Sequence, residues 1–287
     1  MLTELLGKGG CLCQPAKLGR LRCPLIVRPT SEDVITGHIF HTLQIVNPRW
    51  WLPQMLNEAL GTRRFRQQVF RELRVELWKN KPAYPRELLP WDEGSTQVDA
   101  TITWENPPTT VFIEAKYLSN LAPKAIRDDG RSGYPSDQLV RNVRVGLLEA
   151  GYFQHDRLFE TPARDFVLLV LSPSADHGLV TVYRDTNRLR QAIPFSYLIP
   201  TLPMSPFIGQ LSYAALIRLL SAEQQWMSRP EQLLTTNLIE YLKLKFDRIS
   251  RNERQEQHSF EFATRRNEPS DRIHCTASCD EYPRRGQ

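Results

Sequence analysis

Apolar residues recur first at helical and then at strand spacing along this chain. Ile35, Ile39, Leu43 and Val46 follow Ser31, a good N-cap residue, and the acids Glu32 and Asp33, which the helix dipole favours in a first turn. This spacing predicts a helix over about Ser31–Val46, with Pro48 and Pro53 punctuating the chain beyond it. A second helix is expected from about Leu56 to Leu73, and a first strand at Arg74–Trp78. Lys81–Gly94 reads as a proline-containing loop. Asp137 to about Ala150 reads as a helix ended near Gly151. Phe166–Leu171 is a short, wholly apolar run of the kind found in strands buried on both faces. Gly178–Tyr183 reads as a further strand, and helices are expected near Ser212–Ala222 and Pro230–Ile249.

The most regular stretch is Gln97–Tyr117. Val98, Ala100, Ile102 and Trp104 alternate with Asp99, Thr101 and Thr103; after Glu105-Asn106-Pro107-Pro108, a strong turn signal, Val111, Ile113, Ala115 and Tyr117 alternate with Phe112, Glu114 and Lys116. Two strands follow, Gln97–Trp104 and Thr109–Tyr117. If the turn spans four residues, Trp104 pairs with Thr109, and counting outward sets Asp99 opposite Glu114. Directly opposed side chains have Cβ atoms about 4.5–5.5 Å apart, where like charges destabilise a sheet. A divalent cation supplies a reason for the arrangement, because Mg²⁺ takes oxygen ligands and keeps several waters. Lys116, two residues along the same face, is then placed to hold or deprotonate an attacking water, or to offset charge in a transition state.

Composition sets the frame for this chemistry. The 287 residues, 41% apolar and 24% charged, suffice for one large domain or a domain with an appendage. No run of 18 or more apolar residues occurs, and Met1–Gly10 lacks a basic-then-apolar leader pattern, so a soluble cytoplasmic protein without a membrane partner is expected. The five cysteines, Cys11, Cys13, Cys23, Cys275 and Cys279, have neither the number nor the spacing of a disulfide framework or a zinc finger. The net charge is +5, and seven basic residues (Arg63, Arg64, Arg66, Arg71, Arg74, Lys79, Lys81) stand against Glu72 and Glu76 in one short segment. Such an excess suits a polyanion or a solvated helix face. No GxSxG, P-loop or GxGxxG motif is present, and the histidines have no paired metal-ligand spacing.

Asp99, fifteen residues before Glu114-Ala115-Lys116, resembles the signature of the PD-(D/E)xK nucleases, the restriction-endonuclease-like superfamily, with Val98 where the strict pattern has proline. The family pattern includes a glutamate on the helix before the sheet. Glu32 fits it, falling near the middle of the Ile35–Ile39–Leu43–Val46 stripe, whereas Asp33 lies at its edge; Glu76 is the alternative third carboxylate. Many members carry a glutamine on the helix after the third strand. Gln138 resembles that position and lies with Arg141 and Asn142 on the side away from Leu139, Val143, Leu147 and Ala150. The resemblance covers about Ser31–Tyr183.

It implies an α/β fold: a restriction-endonuclease-like core with a mixed four- or five-stranded sheet flanked by helices. Residues 1–29 would be an arm, 30–250 the nuclease domain with its core at about 31–183 and a helical part at 184–250, and 251–287 a flexible tail. It also implies that Glu32, Asp99 and Glu114, with the Ala115 carbonyl, hold Mg²⁺ or Mn²⁺, while Lys116 positions water and Gln138 supports the site. Basic residues over Arg63–Lys81 and around Lys124–Arg144, including Lys124, Arg141 and also Tyr117, would hold a nucleic-acid backbone, with DNA favoured over RNA but not distinguished from it by these residues. A homodimer is one arrangement used to cut both strands. The alternatives are a catalytically inactive nucleic-acid-binding protein, or a protein-interaction module, on the same fold.

Overall fold

The computed structural model describes residues 32–66, 69–83, 93–117, 119, 121–122, 136–153, 164–174 and 177–246. The expected N-terminal arm, the Ser31 cap, Lys124 and the 251–287 tail lie outside these residues. Met1–Lys245 form one compact unit and Phe246–Gln287 a second, of which Phe246 alone is among the described residues.

The fold is α/β, built on a five-stranded mixed sheet in the order β1 (Arg71–Lys81), β2 (Thr96–Glu105), β3 (Thr109–Ala115), β4 (Asp165–Ser172), β5 (Ile208–Ser212). The β1–β2 and β2–β3 pairs are antiparallel; β3–β4 and β4–β5 are parallel. Trp104 pairs with Thr109, as the turn chemistry predicts. Parallel neighbours need crossovers. Helix α3 (Gln138–Glu149) lies between β3 and β4 in the chain; α4 (Gly178–Tyr183) and α5 (Thr186–Ala192) lie between β4 and β5. Helix α1 (Glu32–Ile45) packs on β1 and β2, and α2 (Leu52–Leu60) on β5 and on α6 (Tyr213–Glu223); a further helix, α7, covers described residues 229–246.

Burial on both faces explains the continuous apolar run of β4, in which every residue after Asp165 is buried. On one face Phe112, Phe166, Leu168 and Val170 pack with Leu139, Val143 and Leu147 of α3 and with Val180 and Leu189 of α4 and α5. The caps follow the sequence closely. Asp137 accepts from the Val140 N–H at 2.8 Å to open α3, and the Ser212 hydroxyl accepts from the Ala215 N–H at 3.0 Å to open α6.

Three expectations are corrected. The second helix runs from Leu52 to Leu60, not from Leu56 to Leu73, because Pro53 sits in its first turn and Gly61, at φ 65°, terminates it in the left-handed region. The Asn57 side chain then holds the departing chain, donating to the Phe65 carbonyl at 2.6 Å and accepting from its N–H at 3.0 Å. Gly178–Tyr183 is a helix rather than a strand: the place beside β4 is filled by β5, and the segment packs on β5 and α5 instead. The core therefore does not end near residue 183, since β5 completes the sheet from within the stretch read as helical. Gly209 interrupts that strand's apolar pattern because a Cβ there would lie 2.5 Å from the Ala59 carbonyl oxygen of α2.

Gly146 tests this packing. A Cβ at Gly146 would lie 2.1 Å from the Phe166 ring. Alanine gains about 1 kcal/mol over glycine in a helix interior, but overpacking costs about 1–3 kcal/mol or more. Gly146→Ala is expected to lower the urea midpoint; a raised midpoint would show that Phe166 yields freely.

Candidate active site

The candidate residues meet where β2 begins and β3 ends. Glu114 is 2% exposed, and Asp99 and Lys116 are each 8% exposed. Burying a carboxylate is costly unless donors replace its water. Glu114 has three: Lys116 Nζ and Gln138 Nε2 at 2.7 and 2.5 Å from Oε1, and Asn142 Nδ2 at 2.8 Å from Oε2. Gln138 and Asn142 stand one turn apart on α3, so both reach the same acid.

Lys116 faces a second acid across the site, Glu32 of α1, whose Oε2 is 3.9 Å from Nζ. The Ser119 hydroxyl donates to Glu32 Oε1 at 2.5 Å. Burial of Lys116 favours its neutral form, but the charges of Glu114, Glu32 and Asp99 outweigh it and push its pKa above the usual lysine value. These charges favour the ammonium form of Lys116, a donor and counter-charge to the acids. Its backbone is pinned as well: its N–H donates to the Leu171 carbonyl at 2.7 Å, and the buried Tyr213 hydroxyl donates to its carbonyl at 2.9 Å. Burial, then the negative charges of Glu32 and Asp99, raise the Tyr213 pKa well above its ordinary value, so that hydroxyl keeps its proton.

Asp99 reaches the site from β2, beside the end of β3. The pairing of β2 with β3 runs from Trp104↔Thr109 to Ala100↔Ile113, and Asp99 Oδ2 then accepts from the Ala115 N–H at 2.9 Å. Thr96 donates to Asn142 Oδ1 of α3 at 3.4 Å, and Val98 packs in the same α3 cluster as Phe112, the cross-strand partner of Thr101. An even and an odd residue of one strand share a face only if the strand is irregular between them. It is the contacts of Thr96 and Val98 that depart from the expected alternation. β1 is irregular at the same level, where Trp78, between the Leu77↔Ala100 and Lys79↔Val98 pairs, has φ 53°.

The site thus gathers Glu32, Asp99, Glu114, Lys116 and Gln138. Asn142 and Tyr213 join them unforeseen. Asn142 could have been found as the residue four after Gln138; Tyr213 sits behind the unrecognised β5. Glu76 stands apart in a surface pair with Lys79 at 3.0 Å. Arg141 donates to Glu93 Oε1 at 3.0 Å and to the Gly94 and Ser95 carbonyls at 2.8 and 3.2 Å. Arg144 pairs with the same Glu93, both side chains wholly buried. Tyr117 donates to the Lys245 carbonyl at 3.1 Å.

The basic segment is split. Arg71 and Arg74 pair with Glu105 and Thr103, four to six residues along β2 from Asp99, which is about 13–20 Å at the strand rise. Arg64 is bound at that far end, to the Met204 carbonyl at 2.7 Å and to Asp165 at 3.7 Å. Lys79 and Lys81 lie at the near end, Lys81 paired with Glu149 at 2.7 Å.

The donor set is all oxygen, which suits a hard divalent cation. Among the described residues, however, no three His, Cys, Asp or Glu side chains converge closely enough to hold an ion. The Lys116 ammonium sits between Glu114 and Glu32. No helix among the described residues is long and apolar enough to cross a membrane. No protein family, curated protein or solved structure matches this chain.

Tyr213→Phe removes a buried donor from the Lys116 carbonyl. A loss of about 1–2 kcal/mol is expected in chemical denaturation; an unchanged midpoint would mean that the contact is energetically idle.

Proposed function

We propose that this protein is a metal-dependent nuclease that hydrolyses phosphodiester bonds, with DNA as the favoured substrate. The observation that carries the reading is the buried Lys116 ammonium set between two acids, within the field of a third, at the end of a sheet strand. A buried lysine held between Glu114 and Glu32 is costly to assemble, and such clusters of ionisable groups concentrate at functional sites. Glu32, Asp99 and Glu114, with the Ala115 carbonyl, are the groups that would hold Mg²⁺ or Mn²⁺. When bound, such an ion supplies positive charge to the phosphoryl oxygens and lowers the pKa of its water. Lys116 donates hydrogen bonds, and on this reading orients the attacking water or steadies charge on the scissile phosphate. Tyr213 and Leu171 hold the lysine's backbone so that its ammonium keeps one position.

Activity is tested on plasmid and single-stranded DNA with Mn²⁺, Mg²⁺ or EDTA. Metal-dependent cleavage is expected, lost by about 100-fold or more in Lys116→Ala and Asp99→Ala with their folding retained. No cleavage and no Mn²⁺ uptake by the wild type would replace this reading with that of a binding module on the same fold.

Arg71 and Arg74, both exposed on the edge strand, are proposed to grip the backbone away from the scissile bond. The double variant Arg71→Gln/Arg74→Gln is expected to reduce the slope of log affinity against log salt by about 1.8 on duplex DNA. An unchanged slope would remove β1 from the interface.

A further inference from the structure

We infer that Asn142 is a positioning residue that fixes the Glu114 carboxylate against Lys116, relaying the site to β2 through Thr96. Its effect on turnover rests on the nuclease reading; its effect on geometry does not. Asn142 is 1% exposed, on a helix whose neighbouring residues Leu139, Val143 and Leu147 belong to the apolar core. A leucine would suit that environment better than an amide, unless the amide has a polar task.

Both ends of the side chain are engaged. Nδ2 donates to Glu114 Oε2 at 2.8 Å, and Oδ1 accepts from the Thr96 hydroxyl at 3.4 Å. The orientation of the amide follows from chemistry, because an ionised carboxylate accepts only and must meet the NH₂ end. Gln138 repeats the pattern one turn earlier: Nε2 donates to Glu114 Oε1, and Oε1 accepts from the Ala122 N–H at 3.3 Å. The two amides thus take one carboxylate oxygen each. Gln138 shares its oxygen with Lys116, whereas Asn142 holds the other alone among the contacts described here. With one amide the carboxylate could rotate about its last bond; with two, anchored on α3 a turn apart, its plane is set. The oxygen that meets the lysine is then always the same one.

The test uses the full chain labelled with ¹⁵N-lysine, comparing Asn142→Ala with Val143→Ala, an equally buried control on the same helix. Two readouts are taken: the Lys116 ¹⁵Nζ resonance, and cleavage kinetics resolved into kcat and KM. Asn142→Ala is expected to shift or broaden the Lys116 resonance and to lower kcat by about 10–100-fold with KM unchanged; Val143→Ala is expected to do neither at a comparable melting temperature. If the wild type does not cleave but Asn142→Ala alone still moves the resonance, the nuclease reading fails and the positioning role stands. If the wild type cleaves and Asn142→Ala leaves both resonance and kcat in place, the positioning role fails and the nuclease reading stands. Equal effects from both variants would also overturn it, as packing alone would then explain them. Should Asn142→Ala fail to fold, Thr96→Val is read on the same resonance, with a smaller shift expected and none overturning the relay.

Discussion

A carboxylate removed from water dictates the arrangement around it. Glu114 lies inside the sheet, where a lysine and two amides take the place of solvent around its carboxylate. That requirement gives two polar residues of α3, Gln138 and Asn142, a task beside an apolar face. It also couples α1 to the sheet, since Lys116 turns from Glu114 toward Glu32. Because these groups share partners, substitutions among them are expected to be non-additive.

The mixed sheet supplies the frame. β3 is antiparallel to β2 and parallel to β4, so it is the strand at which the sheet changes direction. Its C-terminal end meets the beginning of β2, and the adjoining Lys116 is tied by its N–H to the Leu171 carbonyl of β4. Asp99 therefore arrives from a neighbouring strand of opposite sense, beside the end of the strand that carries Glu114. The positive φ of Trp78 interrupts the neighbouring β1 at the same level of the sheet.

Much of this was legible in the chain. Alternation through Gln97–Tyr117 and the proline-rich turn gave the β2–β3 hairpin and its register, and the helical stripe of α1 put Glu32 on the correct side. What escaped has physical causes. Period-two reasoning cannot see the positive φ of Trp78, which interrupts β1 beside Asp99. β5 is five residues long and contains a glycine demanded by a close helix, which erases its apolar signal. Gly178–Tyr183 has strand-like residues, and tertiary packing overrode them. The charge count over Arg63–Lys81 was sound, but a count has no geometry: Arg64 serves the fold, and Arg141 and Arg144 serve a buried glutamate.

The separation of Arg71 and Arg74 from Asp99 along the sheet has a consequence for how a duplex would lie. A span of about 13–20 Å corresponds to about four to six base pairs at the axial rise of B-form DNA. On the nuclease reading, the phosphates gripped at the sheet edge are then not those beside the scissile bond. Grip and chemistry would engage different parts of one polymer, and an oligonucleotide shorter than that span would be held by one end of the sheet or cut at the other, never both at once.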